Sequence, residues 1–156
     1  MHSAKQTLGK LPATAFGTVT LPRLPPGLIA GYRALGDLTG QCADAMDQLS
    51  IAGVVPGSTL QPTDPAARIV GQALTVKNIK VDVTVEQAVA GVAVQPGDLV
   101  IADEAGVCFI PFARAAGVLA LAQKIGEAEA ARLKLLQSGI SISEFVNLAP
   151  SLQGKL

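Results

Sequence analysis

The sequence has no tryptophan and only one histidine, and aromatic residues make up 3% of its 156 positions. A protein that reads nucleic acid by stacking needs aromatic platforms, and one that tracks phosphates needs an excess of positive charge. Lys+Arg and Asp+Glu are equal at 12 each, so no nucleic-acid partner is expected. His2 has no second histidine to work with. The only two cysteines, Cys42 and Cys108, lie far apart in apolar stretches. That pattern excludes a structural zinc site and reads as two reduced core thiols, not a disulfide framework. A reducing, cytoplasmic setting is the expectation. No apolar run approaches the roughly 18 residues of a membrane span, and no signal-peptide core follows the start. No membrane partner is expected either.

Charge is scarce as well. Charged residues are 15% and hydrophobic ones 49%, against about 25% charged in an average soluble domain. Much of the surface must therefore be apolar or hidden, which predicts burial against further copies of the chain. The length fits one domain, since single cores usually span about 100–200 residues. The first 36 residues contain no Asp or Glu but do contain Lys5, Lys10, Arg23 and Arg33, a composition shared with organelle transit peptides. Pro12, Pro22, Pro25 and Pro26 would interrupt a long amphipathic helix there. The simpler expectation is a flexible leader over residues 1–23, a domain over 24–139 and a tail over 140–156.

Within that domain, Pro25 and Pro26 suit the start of a helix whose apolar face is Leu28, Ile29, Tyr32 and Leu35, ended by Gly36. A second helix is predicted over 39–49, with Cys42, Met46 and Leu49 on one side and Asp37 or Thr39 as cap. Residues 51–65 carry Gly53, Pro56, Gly57, Pro62 and Pro65 and read as a loop. From Ala67 the period becomes two, with many β-branched residues, which predicts a strand. Val81, Val83 and Val85 suggest a further short strand, with 92–94 as its partner. Gln95-Pro96-Gly97-Asp98 has the order a type II turn requires. Apolar runs at 99–102 and 107–110 flank the tight turn Asp103-Glu104-Ala105-Gly106 and predict a hairpin. Helical spacing then runs from Phe112 to Ser138, with Gly139 as its C-cap, and Glu129 and Arg132 close enough to pair weakly. The tail is left as a short helix around Glu144 or as disorder.

Two stretches resemble a known family. Ala43-Asp44-Ala45-Met46 followed by Gly71-Gln72-Ala73-Leu74-Thr75-Val76 is similar to an opening of the form S/A-D-A-L/M and then G-x-A-x-T-V. Residues 90–107, Ala-Gly-Val-Ala-Val-Gln-Pro-Gly-Asp-Leu-Val-Ile-Ala-Asp-Glu-Ala-Gly-Val, match G-V-x-V-x-P-G-D-x-V-x-A-D-x-x-G-V nearly throughout. Both patterns resemble those of the RraA-like family, which includes 4-hydroxy-4-methyl-2-oxoglutarate aldolases and regulators that inhibit a ribonuclease by protein contact. The resemblance implies an α/β fold, a layered αββα-type sheet like that family's swivelling fold but shortened in the centre. It also implies a homotrimer and a divalent metal, Mg or Mn. In the family the strand matching the region from Ala67 is followed by a helix, a glycine-rich turn with a G-E-L-like segment, and a D-G-x-x-R-D motif. The aspartate of that motif binds the cation and its arginine holds the 2-oxo acid. Here Asn78, Ile79 and Lys80 lead almost at once into Val81.

That gap shapes the functional expectation. Retro-aldol cleavage of a 4-hydroxy-2-oxo acid leaves a pyruvate enolate, and without a Schiff-base lysine its charge needs a bound cation with hard oxygen ligands and a cationic clamp on the carboxylate. Arg68 and Arg114 are the candidates for the clamp, with surface charge as the simpler reading. Asp103 and Glu104 are the candidates for acid/base or metal-water work, with backbone capping in a turn as the alternative. By resemblance, their turn lies near a subunit boundary. Asp44, with Asp47 beside it on the same helix, is the candidate metal ligand, and solvated helix charge is the competing account. Gly53 and Gly57 lack the order and the lysine of a phosphate cradle. The expected outcome is a family member that binds no metal and is impaired in catalysis. The alternative is a non-catalytic regulator with a protein partner.

Overall fold

The computed structural model describes residues 20–75, 91–141, 143–145 and 147, and the main chain of residues 7–8 and 11–12. Near the start, β1 (Thr7–Leu8) and β2 (Leu11–Pro12) pair as a small antiparallel ribbon. The layered part follows as α1 (Pro26–Arg33), α2 (Leu38–Gln48), β3 (Val54–Pro56), β4 (Ile69–Gln72), β5 (Leu99–Asp103), β6 (Gly106–Ile110) and α3 (Ala115–Gln137). A mixed α/β architecture results, with an antiparallel four-stranded sheet in the order β3-β6-β5-β4. The predicted strand at Val81 to Val85 lies outside the described residues.

The helices begin and end where local chemistry dictates. Pro26 opens α1, where its missing N–H costs nothing because the first turn has no intrahelical acceptor for it. The Asp37 carboxylate accepts from Gly40 N at 3.1 Å and caps α2. At the other end of α2, Ser50 N donates to Asp47 O at 2.9 Å and Ile51 N to Met46 O at 2.8 Å, the paired bonds of a Schellman stop. That stop puts its C′ residue in the left-handed region, and here the residue is Ser50, with φ +53°. An L side chain costs free energy in that conformation. Ser50→Gly is therefore expected to raise stability by about 1 kcal/mol, read as a higher urea midpoint at unchanged m-value. A 3₁₀ turn, Phe112–Arg114, leads into α3, and Gly139 with φ +81° stands just past its end.

The predicted hairpin is present: Leu99 faces Ile110, Ile101 faces Cys108 and Asp103 faces Gly106 across β5 and β6. Alternation along the strands sends Leu99, Ile101, Cys108 and Ile110 toward the helices, and all four are fully buried. They meet Tyr32, Leu38, Cys42, Met46, Val118 and Ala122 in one core. Each aliphatic side chain buried this way contributes about 1.5–3 kcal/mol. α2 packs on β5, β6 and α3, while α1 packs on β4 and α3. The other face of the sheet is apolar too, with a smaller cluster of Val55, Val94 and Phe109 bordered by Val92, Val100 and Val107.

The turn before β5 follows the type II expectation. Asp98 N donates to Gln95 O at 3.1 Å, and Gly97 takes φ +99° at the third position. The Asp98 side chain, buried with the turn, accepts from Gln95 N at 2.8 Å and from Phe112 N at 2.9 Å. One carboxylate thus ties the entry of β5 to the exit of β6.

Two expectations need correction. The stretch 51–65 is not all loop, because Val54–Pro56 pairs with β6 as an edge strand. Phe109 N donates to Gly53 O and Gly57 N to Ala105 O, so the alternate residues Val54 and Pro56 turn their main chain away from β6. Proline is tolerated at such an outward edge position. Residues 92–94 form no strand; Val94 is held by burial in the second cluster. The carboxylate of Glu129 meets Gln41 Nε2 at 3.0 Å, a tertiary contact that the pairing with Arg132 did not anticipate. In the tail, Ser141 and Glu144 form a capping box. Ser141 N and Oγ donate to Glu144 Oε2 at 2.9 and 2.7 Å, while Glu144 N donates to Ser141 Oγ at 3.2 Å. Those bonds hold the Glu144 carboxyl below its ordinary range.

Candidate functional site

The sequence candidates converge in part. A cleft of about 420 Å³ lies where the N-terminus of α2, the β5–β6 turn and the segment before β4 meet, and Asp37, Arg68, Asp103 and Glu104 line it. β5 delivers Asp103 at its last position, on the helix side of the sheet, because Asp103 continues the alternation of Leu99 and Ile101. Glu104 follows in the turn and is exposed. Asp44 and Asp47 are exposed further along α2 and are not among the lining residues. Arg114 lies at the opposite end of α2, where its guanidinium donates to Leu49 O at 3.4 Å.

Three of the four charged side chains of this cleft, Asp37, Arg68 and Asp103, are engaged by the fold. Asp103 Oδ2 accepts from Thr39 N at 3.1 Å, Oδ1 accepts from Ala105 N at 3.0 Å, and Oδ1 also takes the Thr39 hydroxyl. With Asp37 on Gly40 N, two carboxylates share the first turn of α2, where free amides and the helix dipole favour negative charge. Arg68 donates to Leu35 O at 2.7 Å, just past α1. Arg33 reaches Val70 O at 3.3 Å on the outer side of β4. The arginines read as possible substrate clamps thus terminate helices, and a third covers a strand edge.

A divalent ion of the Mg or Mn kind asks for about six oxygen ligands. In this cleft both oxygens of Asp103 and one of Asp37 already accept hydrogens from the chain. Among the described residues, no three His, Cys, Asp or Glu gather as a metal-holding group. The residues present do not fit the ion. The buried nucleophiles are equally quiet. Burial, and next the charge of Asp103, pushes the Cys108 thiol up to about 12, while burial pushes Cys42 and the Tyr32 phenol up further. Tyr32 donates to Ala115 O at 2.6 Å, and Cys108 Sγ lies 3.8 Å from Thr39 O. Both cysteines are free. Thiols held protonated in this way are poor nucleophiles.

No family model matches the chain. Among solved structures it is similar to an uncharacterized protein from Pseudomonas syringae pv. tomato str. DC3000, with a TM-score of 0.63 and 18% sequence identity, over 83% of this chain and 97% of that one. The likeness is one of fold. Among the described residues no helix is long and apolar enough to cross a membrane.

Sequence reasoning passed over Thr39 as a partner of Asp103 and Asp98 as a buried clamp. Asp98 left a local signal, an aspartate closing a Pro-Gly turn ahead of a buried strand. Thr39 left none, because its partner is 64 residues away.

Proposed function

We propose that the chain is a shortened RraA-like protein that keeps the shell of that family without its catalytic centre, binds no catalytic metal and does not turn over the family's substrates. The observation that carries this reading is the direct pairing of β4 with β5, Val70 opposite Ile101 and Gln72 opposite Leu99. These two strands lie in the two stretches of resemblance. In the family, the segment bearing the D-G-x-x-R-D motif separates those stretches in sequence. The helices layered on one face of the sheet are compatible with a swivelling αββα arrangement short of its central unit. The buried free thiols suit a reducing, cytoplasmic setting.

The engagement of Asp103 and Arg68 within the fold supports the catalytic half of the proposal. Stabilising a pyruvate enolate takes a cation and a guanidinium on the 2-oxo acid together. Removing one such electrostatic partner commonly costs a factor of about 10²–10³ in rate. The test is a coupled pyruvate assay with 4-hydroxy-4-methyl-2-oxoglutarate or oxaloacetate and added magnesium or manganese. The expected result is no rate above that of the free metal. A saturable rate that falls when Asp103 and Glu104 are both changed to alanine would place a rebuilt site at the β5–β6 turn and sink the proposal.

A further inference from the structure

We draw no further inference here: the strongest candidate, the open groove of about 760 Å³ between the C-terminal half of α3 and the end of α1, where the exposed Leu133 borders Gln41 and Glu129, is an unpartnered helix face, and nothing in the structure shows what covers it.

Discussion

Replacing Gly106 with alanine is expected to cost about 3 kcal/mol, a large share of the 5–15 kcal/mol that holds a domain of this size together. Gly106 opens β6 with φ +151°, and a Cβ there would run into the carbonyl oxygen of Val55. Gly57 N at 3.1 Å and the Pro56 carbonyl carbon at 3.2 Å close the remaining space. All three are main-chain atoms of β3 and its exit, so none can rotate aside as a side chain would. The chain must either move β3 away from β6, losing the pairing of Val55 with Val107, or strain the backbone by about 1–3 kcal/mol. Gly71→Ala in β4 is the control, because a Cβ there meets nothing within 4 Å and φ is not positive. It should leave stability unchanged or raise it slightly, as expected when glycine's unfolded-state freedom is removed. Urea midpoints compare the two directly. Equal small effects would mean that β3 does not press on Gly106.

That glycine also shows where sequence reading stops. The type II turn at Gln95 to Asp98, the β5–β6 hairpin, the capping of α2 by Asp37 and the end of α3 at Gly139 were legible because each signal sits within four residues of the structure it specifies. β3 was not. Val54–Pro56 stands between Gly53 and Gly57, and its strand character comes entirely from β6, more than 50 residues on. The mark it left was indirect: a glycine at 106 that the hairpin alone does not explain. The candidate site divides the same way. That Asp103 and Glu104 occupy a turn was legible, but that Asp103 reaches back to the first turn of α2 required the fold. Arg68 looked free because the carbonyl it covers, Leu35 O, lies 33 residues earlier.

Asp103 and Glu104, adjacent in sequence and equal as candidates there, should separate sharply on substitution. Asp103→Ala removes the acceptor for Thr39 N, the Thr39 hydroxyl and Ala105 N. Two of those donors belong to the first turn of α2, where losing a cap costs about 0.5–2 kcal/mol, and bonds to a charged acceptor contribute about 1.5–3 kcal/mol each. Because water re-satisfies part of this half-exposed group, a loss of about 2–3 kcal/mol is expected. Asp103→Asn keeps one oxygen but presents an amide to donors, and should fall between Asp103→Ala and the parent. Glu104→Ala, at an exposed turn position, should stay within about 0.5 kcal/mol. Thermal and urea unfolding of the three variants decide the matter, with the Thr39 amide exchange rate as a local reporter that should rise for Asp103→Ala alone. If Asp103→Ala proved as silent as Glu104→Ala, the carboxylate would be free for chemistry, and the case against turnover at this cleft would lose its main support.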